Sequence, residues 1–441
     1  MNLLSEYRKK LRTPEEAVSV VKSGDWVDYT VSLGFPKLLD EALAKRKEEL
    51  FDVKIRGILH FGPIQVIECD LEREHFYYNT WHCSSYERKM CDIGLCNYTP
   101  MVFRNVVPFY RHFLTVNVAM ICVAPMDKHG YFNLSSSTGV AKGILDEADI
   151  VIVEVNENLP RVCGGFDEVV HISEVDYIVE GEHGPIIEMP ETPITEADAK
   201  IAELIIPHIP SGAVLQLGVG GMPTAIGKKL AESDLKDLGM HTELCSDAYV
   251  DLFEAGKLTN SGLRHKKGMA GIAIGSKKLY EWIDSNPAVS FAPLEYVNNP
   301  SVIAEIDNMI SINSCISVDL NGQICSETAS GRQISGTGGQ LDFVTGAAMS
   351  KGGKSFICMT STYKDKSGVK SRILPHFVGE VVTTPRSQAH FLVTEYGCIN
   401  LAGLSSWERA EKLISIAHPD FRDGLIAEAE KQKIWRKSNK R

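Results

Sequence analysis

The stretch GMHTELCSDAYVDL, residues 239–252, places one carboxylate, Glu243, between His241-Thr242 and a turn-forming Ser246-Asp247. The apolar run LGMHTEL reads as a strand, Ser246 or Asp247 as the N-cap, and AYVDLFEA as a helix ending near Gly256. Glu243 is therefore expected at a strand-to-helix junction. In open α/β sheets such junctions at the carboxyl ends of strands carry ligands. A carboxylate there could act as a base, a metal ligand or a nucleophile. A metal role is disfavoured, because His241 and Glu243 have no further His or Asp at ligand spacing. A solvated or salt-bridged glutamate is the plain alternative.

Two glycine-rich turns could serve such a carboxylate. The first, LQLGVGGMPTAI (215–226), starts like a dinucleotide fingerprint but has Pro223 at the place of the third glycine, and no P-loop lysine follows. What remains is a set of backbone N–H groups at a helix start, suited to an anion or a developing oxyanion. The second, ISGTGGQLDFVTGAAMSKGGK (334–354), has Gly336, Gly338 and Gly339 where the chain can pass close to something bulky, and Asp342 as a possible cap of the next helix. Either loop could equally be a tight turn. Other polar positions are weaker. Trp81-His82-Cys83 suggests packing more than a Cys–His pair, since adjacent side chains diverge. Asp127-Lys128-His129-Gly130 reads as a polar turn. Glu395 and Asn313 each follow an apolar run and are strand-end polar candidates.

The elements that must position these residues alternate along the chain. Strand-like runs such as VKIRGIL (53–59), VNVAMICVA (116–124), IVIVEV (150–155), AVLQLGV (213–219) and HFLVTE (390–395) are separated by amphipathic helical stretches. That alternation predicts an α/β fold with mostly parallel sheets. The segment 180–198, EGEHGPIIEMPETPITEAD, is rich in proline and acid and predicts a linker, giving domains at 1–190 and 191–441. An internal echo agrees with that cut. Ser23-Gly24 leads into a strand, then Gly34-Phe35-Pro36 and a helix; Ser211-Gly212 leads into a strand, then Gly220-Gly221-Met222-Pro223 and a helix. Two similar halves with a cleft between them are the expectation.

The 441 residues carry a formal net charge of −11, which disfavours nucleic acid and anionic membrane surfaces as general partners. No apolar run reaches the roughly 20 residues of a membrane span, and the N-terminus MNLLSEYRKKLRTPEEA lacks a signal-peptide core. Eleven cysteines, none in a CxxC, sit mostly in apolar runs and read as reduced core residues of a cytoplasmic protein without a metal site.

Long stretches of the chain resemble the acetyl-CoA hydrolase/transferase family. They include EEAVSVVKSGDWV (15–27), WHCSSYERKM (81–90), APMDKHGYFNLS (124–135), VEVNENLPRV (153–162), LQLGVGGMP (215–223), LGMHTELCSDAYVDLFEAGKLTN (238–260), QISGTGGQLDFVTGA (333–347) and IAHPDFRDGL (416–425). The resemblance implies two CoA-transferase domains with the active site between them, and Glu243 as the nucleophile. It implies that the amides around Gly221 and Met222, and around Gly338 and Gly339, hold the thioester oxygen. Gln216, Gly218 and Gly220 of the first loop, and Gly336, Gly338 and Gly339 of the second, become the candidate CoA-binding positions. Asn313 and Glu395 match supporting polar positions. The implied substrates are a short-chain acyl-CoA and a carboxylic acid such as acetate, with coenzyme A as substrate and no permanently bound cofactor. A homodimer is implied as well. HTELCSDA and TVSLGF (30–35) depart from what relatives carry, which leaves the acid open. An acyl-CoA hydrolase on the same fold and a non-catalytic acyl-CoA-binding protein are the competing readings.

Overall fold

The computed structural model describes residues 2–181, 183–190, 192–218 and 220–436. Its frame is two large sheets, one in each half. The first contains β1 (Trp26–Val31), β2 (Val53–Ile58), β3 (Phe76–Thr80), β4 (Cys96–Tyr98), β5 (Val116–Val123), β6 (Ala148–Val155) and β7 (Tyr177–Glu180) in the spatial order β4-β3-β2-β1-β5-β6-β7. Every neighbouring pair is parallel. The second contains β8 (Val214–Leu217), β9 (Gly239–Cys245), β10 (Gly268–Ala273), β11 (Val289–Phe291), β12 (Met309–Ser314), β13 (Lys354–Cys358), β14 (Phe391–Thr394) and β15 (Gly397–Asn400). Their order is β11-β10-β9-β8-β12-β13-β14-β15, parallel except for the β14–β15 hairpin.

The two orders are the same through seven strands, so the echo noticed in the sequence is a shared topology. Gly24 and Gly212 both take the left-handed φ, +89° and +78°, two residues before β1 and β8. A side chain is strained there, which is why glycine opens both halves. In each sheet the strand order reverses next to the first strand, between β1 and β5 and between β8 and β12. Crevices at such switch points, at the carboxyl ends of the strands, are where open α/β sheets hold ligands.

The central strands are buried on both faces and read as unbroken apolar runs; β5 is VNVAMICV with all but Asn117 buried. Between β7 and the helix Glu196–Ile205, residues 183–190 and 192–195 form no regular element. That helix starts on a capping box of Thr195 and Asp198.

The halves are not joined by that segment alone. One apolar cluster combines Val31, Ile58, Trp81 and Phe132 with Leu244, Ile272 and Leu294. Another combines Leu33, Cys122 and Ala124 with Leu215, Leu217 and Met222. An interface made of continuous core resists the relative motion expected of polar domain contacts. The strand ends of the two sheets are thus held in fixed register across the cleft. All eleven cysteines are free, and no group of three or more His, Cys, Asp or Glu among the described residues is arranged to hold a metal.

Candidate active site

Glu243 is the fifth residue of β9, close to its carboxyl end, with β8 on one side and β10 on the other. The strand is pinned below it. The His241 ring nitrogen Nε2 lies 2.8 Å from Val297 O, and Met240 N donates to Asn260 Oδ1 at 3.0 Å. Glu243 itself is only partly buried, so a ligand can reach it.

Asn298 and the Gly339 backbone hold its carboxylate. Asn298 Nδ2 donates to Oε2 at 2.6 Å, and the backbone of Gly339 packs directly against the same oxygen. Asn298 caps the short helix Leu294–Val297 and is fully buried. Its second amide hydrogen goes to Asp342 Oδ2 at 3.1 Å, while its Oδ1 has no protein partner. Asp342 lies in the first turn of the helix Gln340–Met349 and is also fully buried. It does not cap that helix, as the sequence pattern had suggested. Its carboxylate accepts Arg104 N at 3.1 Å and pairs with the Arg104 guanidinium, which leaves Gly339 as an N-cap without a side-chain bond.

The glycine loop before that helix is built into the gap between the halves. Phe103 N donates to Gly338 O at 3.1 Å, Cys83 N to Ser335 O at 3.4 Å, and Thr337 N to Tyr98 OH at 3.1 Å. The glycines are there for space. A Cβ on Gly336 would come within 2.6 Å of Trp81 O and 2.8 Å of His82 Nδ1. A Cβ on Gly339 would overlap Glu243 Oε2 and Asn298 Nδ2. Gly338 has room but takes φ +57°.

Burial pushes the Glu243 carboxyl up to about 8, and the charge of Asp342 adds to that; Asn298 and Gly339 act the other way. Burial likewise raises Asp342 to about 6, against the pull of Asn298 and Arg104. The two nearby imidazoles are kept neutral by burial, His241 and His82 both down to about 4.

The remaining sequence candidates fall at defined places. Gln216 on β8 and Asn313 on β12 face each other across the switch point. Gln216 Nε2 donates to Asn313 Oδ1 at 3.1 Å, and Gln216 Oε1 accepts from Asn313 Nδ2 at 3.0 Å and Ser311 Oγ at 2.8 Å. Gly218 N donates to Ile312 O at 3.1 Å, and Gly220, with φ +110°, caps the helix Gly221–Glu232. Gly221 lies against Pro193 O, and Met222 is buried in the core. This first loop follows β8, the strand beside β9. Glu395 ends β14, four strands from β9, and accepts Ser361 N at 2.8 Å and Ser361 Oγ at 2.6 Å. Cys83 faces Cys91, with Sγ–Sγ 3.8 Å, while His82 turns to the glycine loop. Asp127 Oδ1 accepts His129 N and Tyr131 N in a polar turn, as its sequence suggests.

The acetyl-CoA hydrolase/transferase N-terminal domain matches residues 1–188, and the C-terminal domain of the same name matches residues 275–429. The chain belongs to the acetyl-CoA hydrolase/transferase family. It is similar to a butyryl-CoA:acetate CoA-transferase of Anaerostipes caccae, at 50% identity over 100% of both chains. It is also similar to a 4-hydroxybutyrate coenzyme A transferase of Clostridium kluyveri, at 39% identity over 97% of this chain and 98% of the other. The crystal structure of RipA from Yersinia pestis superposes with a TM-score of 0.89, at 37% identity, covering 98% of this chain and 100% of RipA. The fold is that of a two-domain CoA-transferase, and the protein is an enzyme of that class.

Asn298, Asp342 and Arg104 were missed as site residues by sequence reasoning. Asn298 stands 55 positions after Glu243 in VNNPS, where the visible signal is a turn before Pro300. Arg104 belongs to the other half of the chain.

Proposed function

We propose that this CoA-transferase moves CoA between a short-chain acyl-CoA, butyryl-CoA in the first instance, and acetate, by way of a glutamyl-CoA thioester on Glu243. The observation that carries the reading is the grip of Asn298 Nδ2 on a carboxylate at a parallel strand end, packed against the Gly339 backbone. The butyryl and acetate pair is supported by the relative at 50% identity.

The reaction uses the ionised carboxylate. Oε1 of Glu243 attacks the thioester carbonyl, the C–S bond breaks, and CoA leaves as thiolate from a mixed anhydride. The thiolate then attacks Cδ of Glu243. Oε2 becomes the oxyanion of that tetrahedral adduct, and Asn298 Nδ2, already 2.6 Å from it, needs no rearrangement to stabilise the charge. Such a donor is worth roughly 3–4 kcal/mol in a site of this type. On collapse the first acid departs with Oε1 and Glu243 is left as the thioester. Acetate enters and the steps run in reverse. The amides of Gly221 and Met222 are the candidates for the acyl carbonyl oxygen, and Gln216 with Asn313 the polar floor between them. Thioester energy is conserved, which covalent catalysis permits without an energy source. The apolar core between the halves walls the site, and the bound substrates must complete the exclusion of water from both intermediates.

The test is intact-protein mass spectrometry after mixing with butyryl-CoA alone. The expected result is addition of CoA minus water, mapped to the 239–252 peptide and lost in Glu243→Ala. Failure to label Glu243 with any acyl-CoA that binds would refute the reading. CoA-ester consumption that proceeds equally without acetate would establish the hydrolase instead.

A further inference from the structure

The charged pair behind the site has a part in the reaction that its distance from substrate conceals. We propose that Asp342 and Arg104 are a positioning pair. Asp342 locks the Asn298 amide toward Glu243 and sets the electrostatic field at the nucleophile, and Arg104, from the other half of the chain, sets how strongly that field is felt. The proposal rests on the assignment of Glu243 as nucleophile.

Every link is a direct contact. Asn298 Nδ2 is 2.6 Å from Glu243 Oε2 and 3.1 Å from Asp342 Oδ2, so the two carboxylates lie within about 6 Å of each other. Asp342, paired with Arg104, accepts from Nδ2 and so fixes which end of the amide faces the carboxyls. Flipped, Asn298 would set Oδ1 against the Asp342 anion and leave ionised Glu243 without its donor. Asp342 is held in turn by the backbone and guanidinium of Arg104. With Asp342 fully buried and Arg104 partly exposed, the desolvation of Asp342 offsets much of the attraction, so the pair is a weak stabilising device. Its use is positional. It also ties the geometry of the nucleophile to correct seating of the halves, since Arg104 follows Phe103, whose N–H holds Gly338 O.

The other groups around Glu243 leave the field to this pair. His241 on the same strand and His82 across the glycine loop are neutral. Arg88, whose Nε donates to Ile334 O at 2.6 Å, carries a charge that acts on His82 and is not among the groups that shift Glu243. Asn298 and Gly339 carry no charge. Removing the anion of Asp342 should therefore lower the pH at which Glu243 ionises, and removing the cation of Arg104 should raise it. Opposite shifts from the two partners of one ion pair are not what a merely structural contact produces.

The experiment measures kcat/KM for butyryl-CoA with acetate across pH in the full chain and in Asp342→Asn, Arg104→Gln and Arg104→Lys, with the covalent adduct trapped in each. For Asp342→Asn the acidic limb should move down by about one pH unit, with kcat lowered 10- to 100-fold as Asn298 loses its anchor. For Arg104→Gln the limb should move up by a similar amount, and Arg104→Lys should bring it back. If Asp342→Asn does not fold, the two Arg104 variants decide alone. Limbs that coincide, or that move in the same direction, while the wild-type protein still forms the Glu243 adduct, overturn the positioning pair and leave the nucleophile standing. Absence of the adduct in the wild type overturns both.

Discussion

Replacing Gly339 by alanine separates the chemistry of the site from the stability of the fold. Gly339 has φ −103° and ψ 12°, which alanine adopts without strain. The methyl group itself is the perturbation. It would overlap Oε2 of Glu243 and Nδ2 of Asn298 and stand 3.0 Å from Glu243 Cδ. A relaxed carbon–oxygen contact needs roughly 3.5 Å, so the carboxylate must retreat by an ångström or more, and misplacement of about 1 Å costs on the order of 10²-fold in rate. Gly338 is the control. There a Cβ finds His82 Cε1 at 3.4 Å and Glu243 Oε1 at 3.9 Å, ordinary contacts, but φ is +57°. Alanine at 338 should cost about 1 kcal/mol of backbone strain and leave kcat within about tenfold of wild type. Alanine at 339 should lower kcat by at least about 10²-fold, with only the modest loss of stability that local overpacking brings, about 1–3 kcal/mol. Initial rates of CoA transfer and urea unfolding of both variants are the assays. A Gly339→Ala enzyme within a few-fold of wild type would show that Glu243 is not held where the reaction needs it.

Three further outcomes follow from the same geometry. On the proposal that Glu243 reacts as a carboxylate, and with burial pushing it up to about 8, kcat/KM for the acyl-CoA should rise with pH and level off above about 8, measured under steady-state conditions. The same raised value means the folded protein keeps a proton that the unfolded chain releases, so this group costs stability as pH rises from about 4.5 to about 8. Glu243→Gln should therefore be more stable than wild type at pH 8.5, by up to about 5 kcal/mol, and show no gain near pH 4.5, in denaturant titrations at the two pH values. In the first half, Arg56→Ala strands the fully buried Asp28, which Arg56 holds at 2.7 and 2.8 Å, and should cost about 3–5 kcal/mol in urea unfolding.

What was legible in the sequence is what local pattern encodes. The α/β class, the strand end at Glu243 and the two glycine loops all show in residue order, because apolar periodicity and left-handed glycines are local signals. Asn298 was not legible, since an asparagine before a proline reads as a turn whatever its side chain reaches. Asp342 was misread for a related reason: an acid in the first turn of a helix is the usual cap, and only the seating of Arg104 from 238 positions away diverts it. The unlike neighbourhoods of Asn313 and Glu395 are a matter of strand order, which spacing along the chain does not reveal.

The two halves share a topology but differ in what stands at their strand ends. Counting from the paired residues Trp26↔Lys54 and Val214↔Gly239, Ile58 of β2 stands where Glu243 stands in β9, and Asp28 of β1 where Gln216 stands in β8. Ile58 is buried in the apolar core, and Asp28 is neutralised by the Arg56 fork. The helix that follows β1, Lys37–Ala44, has its first amides taken: Leu38 N and Leu39 N donate to Glu154 Oε2 at 2.9 and 3.1 Å. An internal carboxylate thus fills the place where an anionic ligand would bind. Its counterpart Gly221–Glu232 begins on a glycine with no side-chain cap. The parallel-sheet frame supplies a strand-end crevice in each half; the first remains a cavity lined by Leu33, Lys37, Leu38 and Glu154 but has its helix-start amides taken by Glu154, and the second carries the gripped carboxylate of Glu243. The first half contributes the wall instead: Phe103 and Tyr98 to hold the glycine loop, and Arg104 to hold Asp342.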